Sequence, residues 1–399
     1  MKSDKSTPNV PTLRFAEYTD EWHKFALSDF VTRITRRNKN NESSLPLTIS
    51  AQYGLVDQIT FFNKTVASVD LSGYYLIYNG DFAYNKSYSN DYAWGAVKRL
   101  DKYEKGCLSS LYFVFRPKDD VDSDFLTHYF ETSKWHKGIS DIAGEGARNH
   151  GLLNMSVDDY FATRHYLPKI QEQKKIAAFL NLIAKRIEVQ NKIISKYESL
   201  IKGISKDYFN KTPDYYVSLN DLIIMGKAGG TPTSTVSEYY SGNIPFLSIS
   251  DMTKQGKYIE YTERHISEIG LDNSTAWLVP KNSLILSMYA SVGLVCINKV
   301  PLATSQAMFS MILKDSNNLD YIYYYLNFFR ETQIHRLLET GTQSNINADT
   351  VRAIAIPFYA DKSTYVKSML AIEKRLNNEK DMLFRLTDLK AYLLSNLFI

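Results

Sequence analysis

Two heptad seams set 189 residues apart decide what this chain can become. Within residues 170–209 apolar side chains recur at alternating gaps of four and three: Ile176, Leu180, Ile183, Ile187, a polar Gln190, then Ile194, Tyr197, Ile201, Ile204 and Tyr208. That spacing is the seam of a coiled coil. With no proline inside it and Lys and Glu on its other faces, the stretch predicts one unbroken helix, roughly 60 Å long at about 1.5 Å per residue. A helix of this kind needs a partner for its apolar stripe. Adding 189 to each seam position gives Tyr365, Met369, Ile372, Leu376, a polar Glu379, then Leu383, Leu386, Lys390, Leu393 and Leu397, with the polar break in the same place. Identical residues recur at that offset: Pro168, Ile183, Lys185, Arg186, Leu200 and Phe209 match Pro357, Ile372, Lys374, Arg375, Leu389 and Phe398. The chain therefore reads as a tandem repeat of a globular part followed by a long helix. Two unrelated amphipathic helices are the alternative, and the period is too long for a solenoid.

At 399 residues the length allows two or three domains, each able to bury a core. The repeat makes that two domains plus a coil, with bounds at 1–168, 169–212, 213–357 and 358–399. Two Cys, no apolar run of membrane length and an N-terminus without a hydrophobic segment speak for a cytoplasmic protein with reduced thiols. Charge is informative only when divided: residues 169–212 hold 10 Lys+Arg against 4 Asp+Glu, an excess of +6, whereas residues 1–168 hold 20 against 21 and residues 213–357 hold 10 against 13. A nucleic-acid surface on the globular parts must then be a local patch. The +6 is equally well explained by a solvated helix face.

Taken in order, Leu27 to Ile34 reads as a short helix running into Arg33, Arg36, Arg37 and Lys39. Basic and amide side chains on a loop suit phosphate and base-edge contacts, and a solvated loop fits them as well. Strands should dominate from Leu45 to Phe115, broken by a loop that concentrates Asn85, Lys86, Tyr88, Asn90 and Tyr92. A helix is expected at Ser123 to Ser140, then a Gly-rich loop with Arg148 and His150. In the second globular part a Gly/Thr-rich loop at 226–235 carries Lys227, Thr231, Thr233 and Ser234, and two strands flank Ser287, Tyr289 and Ser291. A buried helix at Asp320 to Leu338 precedes a loop with Gln343 and Asn345.

Catalytic and metal motifs find little support. GKAGGT lacks the order of a phosphate loop, and neither GxGxxG nor an Asn or Asp before two prolines occurs. Glu172, Gln173 and Lys174 form a nuclease-like ExK, but with no acidic partner the glutamate reads as part of a solvated helix start. Cys107 and Cys296 are isolated, and no HxxxH pair exists, so no metal ligands are assigned.

The segments VPTLRF, YNKSYS…WGAVKR, EGARNHGLLNMS with LPKIQEQKKIA, GGTPTS, IPFLSISD, WLVPKNSLILS and GTQSNI, in this order within a two-fold repeat, resemble the specificity (S) subunits of type I restriction-modification enzymes. The resemblance covers nearly the whole chain. It implies an α+β fold of two pseudo-repeated mixed α/β target-recognition domains separated by a long antiparallel two-helix coiled coil. It also implies a non-catalytic protein that binds double-stranded DNA at a bipartite, asymmetric site. The partners implied are two modification (methyltransferase) subunits that methylate adenine with S-adenosylmethionine, and restriction subunits that translocate and cut with ATP and Mg. The second helix departs from the pattern, opening FYADKSTYVKSML where a PxxEQxxI-like start is expected. For base contacts the strongest candidates are Lys86, Tyr88, Asn90 and Arg148 in the first domain, and Thr231, Thr233, Ser287, Tyr289 and Gln343 in the second.

Overall fold

The computed structural model describes residues 9–64, 67, 68, 70–88, 92–143, 151–335 and 345–399. The chain divides into two compact units, and neither is one of the globular parts alone. Residues 1–191 with 381–399 make the first and residues 192–380 the second, so each unit takes a piece of both long helices. Those helices run Ile170–Phe209, forty residues, and Lys362–Asn396, thirty-five residues. At every seam position the side chain is buried or half-buried, from Ile176, Leu180 and Gln190 on the first helix to Met369, Leu376 and Leu393 on the second.

The strands of the first unit are β1 (His23–Ala26), β2 (Val31–Arg33), β3 (Leu47–Ser50), β4 (Gly54–Asp57), β5 (Tyr75–Tyr78), β6 (Phe82–Asn85), β7 (Ala96–Arg99), β8 (Lys105–Leu108), β9 (Phe113–Pro117) and β10 (Arg164–Leu167). They form a four-stranded sheet β2-β9-β6-β7 and the pairs β1-β10, β3-β4 and β5-β8. One core lies between the larger sheet, the helices Ser123–Tyr129 and Val157–Ala162, and the helix segments carrying Ile176, Leu180, Leu393 and Leu397. Its aromatic side chains, including Trp22, Phe82, Tyr84, Phe115 and Tyr160, contribute roughly 2–3 kcal/mol each by burial. A satellite cluster of Leu47, Leu55, Tyr75, Ile77 and Leu108 joins the smaller strand pairs.

In the second unit the strands are β11 (Tyr215–Ser218), β12 (Ile223–Ala228), β13 (Ile244–Leu247), β14 (Tyr258–Ile259), β15 (Arg264–Ile266), β16 (Leu284–Ser287), β17 (Val295–Asn298), β18 (Ala303–Thr304), β19 (Met308–Leu313) and β20 (Ala355–Phe358). Five of them make a sheet of order β12-β19-β16-β17-β14, three make β15-β13-β18, and β11 pairs with β20. The helix Leu319–Thr332 packs its Tyr321, Tyr324, Tyr325 and Phe328 into a core shared with Tyr208, Phe209, Tyr365 and Met369 of the long helices. Tyr208 stacks on Tyr365 at 4.0 Å between ring centres. Along these helix segments partner numbers fall on one as they rise on the other: Glu198 pairs with Lys380 at 3.0 Å, Ser205 with Tyr365 at 3.0 Å, and Tyr208 with Asp361 at 2.8 Å.

The repeated phenylalanines do the same work in their own units. Phe398 packs on Trp22, Phe125 and Tyr129 with centroids 6.4, 5.2 and 6.0 Å away. Phe209 packs on Tyr321, Tyr325 and Phe328 at 5.9, 5.2 and 5.3 Å.

Three local expectations need correction. Helix over Leu27 to Ile34 stops at Phe30, β2 begins at Val31, and the helix is capped at Ala26, whose N–H donates to the Asp29 carboxylate at 2.8 Å. Ser123 to Ser140 is two helices, Ser123–Tyr129 and His136–Ile142, because the Thr132 hydroxyl takes the Tyr129 carbonyl at 2.7 Å and turns the chain. Glu172 is no solvated helix start. It is buried, gripped by Arg14 through two bonds of 2.7 Å and by the Trp22 indole at 3.3 Å, and Gln173 beside it accepts the Asp122 N–H at 2.9 Å.

Acid sensitivity is built into the first core at His165. The Thr163 hydroxyl donates to the Tyr160 carbonyl at 2.7 Å, so it can only accept from the His165 Nε2–H at 2.8 Å, leaving Nδ1 to accept the Tyr129 hydroxyl at 2.8 Å. Burial pushes this imidazole down to about 4. The unfolded side chain protonates at about 6.5, so the stability it contributes is complete above that pH and is lost as pH falls towards 4. Urea unfolding of the parent should therefore lose on the order of 3 kcal/mol more than His165→Phe between pH 7 and pH 4.

Candidate nucleic-acid interface

In the first unit the loop after β6 is built by a few local bonds. Asn85 Oδ1 accepts the Ser87 N–H at 3.0 Å, and Gly95 closes the loop at φ +76, where an added Cβ would sit 2.1 Å from the Asn85 carbonyl. The backbone of 86–88 then pairs with 151–153: Leu153 N–H donates to the Lys86 carbonyl at 2.9 Å and Tyr88 N–H to the Gly151 carbonyl at 3.0 Å. Two stretches distant in sequence are thereby joined. Lys86 reaches across the Phe113 ring at 5.4 Å, Tyr88 is half-buried against the core, and Tyr92 is exposed. Asn90, Arg148 and His150 lie outside the described residues, as does Gln343.

Beside this loop is a cavity of about 370 Å³ lined by Tyr92, Lys98, Glu131, Trp135 and His136. Burial lowers the pKa of both Lys98 and His136. Burial would raise the Glu131 carboxyl, but His128 and Lys390 outweigh it and hold the group at about 2. Lys390, a seam position by its spacing, thus pairs with Glu131 at 2.9 Å.

The basic stretch at 33–39 divides into two kinds of residue. Arg36 bonds the Leu76 carbonyl and the buried Asp81, each at 3.1 Å, and lies over the Tyr78 ring at 4.2 Å. Arg37 bonds the Gly73 carbonyl at 2.6 Å and covers the Tyr75 ring at 4.4 Å. Both guanidinium groups brace the small strand pairs. Arg33 and Lys39 are exposed.

In the second unit Gly229 and Gly230 let the end of β12 pass where no side chain fits, since added Cβ atoms would lie 1.9 Å from the Thr304 carbonyl and 2.2 Å from Thr275 Oγ1. Thr231 then bonds Gln306, while the Met288 N–H bonds the carbonyl of the next residue, Ala307, at 2.8 Å. The Thr-rich loop and the 288–291 turn accordingly flank one short segment. Ile346 N–H donates to the Met288 carbonyl at 3.1 Å, which brings Asn345 to the same turn. Lys227, Thr231, Thr233, Ser234, Tyr289 and Ser291 are all exposed. Ser287 is different: it is buried, and its hydroxyl is spent on the carbonyls of Tyr289 at 2.6 Å and Ala290 at 2.9 Å. That bond holds Ala290 and Ser291 at φ +37 and +49, a left-handed conformation costly for residues with a Cβ. Tyr289 stands at the tip.

A cleft of about 680 Å³ opens beside the Thr-rich loop, lined by Thr231, Ser234, Tyr240, Phe246, Arg264 and His265. Glu263 also faces it but is paired with Lys254. The Arg264 side chain is exposed and makes no hydrogen bond or ion pair among the described residues, so its donors are available to a ligand. No motif marks Arg264 in the sequence, because the cleft is assembled from three segments that meet only in the fold.

Residues 215–390 match the family model described as the type I restriction modification DNA specificity domain. A type I restriction enzyme MjaIX specificity subunit from Methanocaldococcus jannaschii is 29% identical over 132 residues, 33% of this chain and 31% of the relative. The HindI specificity subunit from Haemophilus influenzae is 31% identical over 187 residues, 45% of this chain and 40% of the relative. The chain thus aligns with less than half the length of each. Among solved structures, the S subunit of a type I restriction-modification system from M. genitalium aligns over 98% of this chain and 99% of its own, with TM-score 0.58 and 15% identity. A chain from a type I R-M system, studied for complex assembly and conformational transition, aligns over 94% and 97% with TM-score 0.56 and 16% identity. At such identities the likeness is one of fold, and it extends over both units.

The two kinds of candidate should separate on mutation. Ser287→Ala is expected to cost about 1–3 kcal/mol in urea unfolding, because a buried bond is lost. Tyr289→Ala, which trims an exposed ring, should change stability by less than about 0.5 kcal/mol.

Proposed function

We propose that this chain is the specificity subunit of a type I restriction-modification system, a non-catalytic protein that reads a split, asymmetric DNA site and directs its partners to it. The observation that carries the reading is the specificity-domain match at 215–390, which contains the cleft with Arg264 and the Tyr289 turn. Residues 1–168 and 213–357 serve as the two recognition domains, and residues 169–212 and 358–399 as an antiparallel helical pair that sets the distance between half-sites. The falling and rising partner numbers at Glu198–Lys380 and Tyr208–Asp361 support that direction.

Direct readout needs side-chain donors and acceptors in the major groove. Lys86, Tyr88 and Tyr92 in the first domain, and Thr231, Ser234 and Tyr289 in the second, supply them from loops anchored to a sheet, and Arg264 supplies them from the start of β15. Modification and restriction subunits provide the chemistry, with S-adenosylmethionine, ATP and Mg bound on them. Exposed apolar side chains on the long helices, among them Leu182, Val189, Phe384 and Leu389 in the first unit, support docking of partner helices there. No helix among the described residues is long and apolar enough to cross a membrane, and a cytoplasmic location fits a DNA-bound role.

The decisive test is selection from a random double-stranded library, with and without modification subunits. A split consensus is expected, and a pure scaffold would enrich nothing. Replacing residues 213–357 with the equivalent part of another specificity subunit should change one half-site and leave the other intact. Arg264→Ala should relax the preference at one position of the second half-site by about 1–3 kcal/mol, as for a guanine read through O6 and N7. A uniform loss on all sequences, with the salt slope reduced by about 1, would instead mark a phosphate contact.

A further inference from the structure

Lys257 immediately precedes β14 in the second unit, and its side chain is only 9% exposed. Its ammonium is 2.9 Å from the Asp320 carboxylate on the helix Leu319–Thr332, 2.7 Å from the Glu373 carboxylate on the second long helix, and donates to the Tyr324 hydroxyl at 2.9 Å. The rings of Tyr258, Tyr323 and Tyr324 surround it at 5.1, 4.9 and 4.3 Å. Burial works against the charge, but Glu373 and Asp320 more than offset it, and the ammonium is held charged. Nothing in the DNA-reading role described above uses this group.

Its place explains what it does. Apolar packing attaches this domain to the second long helix at Tyr365 and Met369, with Tyr321 and Tyr324 against the Tyr365 ring. Glu373 lies eight residues beyond Tyr365, about 12 Å along the helix at about 1.5 Å per residue. Around the lysine the domain and the helices stand apart, leaving clefts of about 880 Å³ and 430 Å³ that both reach Tyr323, Gly256, Glu373 and Leu376. Two ion or hydrogen-bond ties elsewhere between the domain and the helices do not substitute for it. Lys202–Glu331 is exposed and weakened by solvent, and Lys362–Asn318 lies near the Tyr365 end. A body attached at one patch can pivot about it, and a second attachment 12 Å away stops the pivot.

We infer that Lys257 is a positioning residue: by clamping Asp320 to Glu373 it fixes the angle at which the second recognition domain stands on its helix, and so the half-site spacing the protein accepts. This rests on the split-site reading above. Lys257 touches no base and determines no base.

The test uses the full chain, alone and with modification subunits, on a library in which the selected half-sites are separated by spacers of varied length. The parent should favour one spacer. Lys257→Met and Glu373→Gln should keep the same half-site bases but reduce the preference for the best spacer over its neighbours by about fivefold, and Lys257→Arg should restore part of it. Because Lys257→Met leaves two carboxylates facing each other, urea unfolding and near-UV dichroism establish that it is folded, and the milder Tyr324→Phe supplies a second measurement in the same direction. Unchanged spacer preference in folded Lys257→Met and Glu373→Gln overturns the positioning role alone, as does a change in the bases selected. A parent that enriches no split site removes the reading beneath the proposal and the proposal with it.

Discussion

Everything in each unit is hung on an aromatic contact between the end of a long helix and a short helix of the globular part. Phe209 meets Tyr321, Tyr325 and Phe328; Phe398 meets Trp22, Phe125 and Tyr129. Rings of this size bury the most apolar surface per residue and prefer a few offset or edge-to-face geometries, so the contact supplies adhesion and narrows the range of orientations without fixing one. The sheets, and the loops they carry, inherit their placement from it. Polar groups near these contacts are tied down in turn: Tyr208 to Asp361, Ser205 to Tyr365, Glu172 to Arg14.

Legibility in the sequence followed the range of the forces involved. The first long helix was readable to its ends because its periodicity is local and Pro213 punctuates just beyond it. The same rule failed for Leu27 to Ile34, where pairing with the distant Arg116 and Pro117 takes Val31 onward into a strand. Candidate side chains were harder still, since composition cannot tell a donor that faces solvent from one already committed. Arg36 and Arg33 are alike in the sequence; a buried Asp81 forty-five residues away claims one of them. Ser287 fits a contact loop by type, yet its hydroxyl holds its own turn. Arg264 was passed over for the opposite reason, as an isolated cation whose freedom is visible only once the cleft exists.

Glu172 and Asp361 show how a repeat can keep geometry while changing chemistry. They stand at equivalent positions, 189 residues apart, at the starts of the two long helices. Glu172 is closed off by a guanidinium and an indole, whereas Asp361 takes a tyrosine hydroxyl and remains largely exposed. At FYADKST, where the helix opening departs from the expected pattern, Asp361 therefore ties the helix start to Tyr208 of the other long helix, and the neighbouring Lys362 bonds Asn318 of the domain. The Lys257 clamp lies farther along the second helix, and in the first unit the corresponding kind of tie is reversed, with the cation Lys390 on the helix and the carboxylate Glu131 on the domain.

The way the units divide the chain also sets a schedule for synthesis. Residues 192–380 are contiguous and can close as soon as they are made, but the first unit needs residues 381–399 to complete it. Until Leu393, Leu397 and Phe398 arrive, the surface formed by Trp22, Phe125 and Tyr129 has no cover. At about 5–20 residues per second the ribosome takes roughly 10–40 s to pass from the end of the first segment to the start of the last. The part of the protein made first is thus the part finished last, and for that interval its aromatic face is open to chaperones and to other nascent chains.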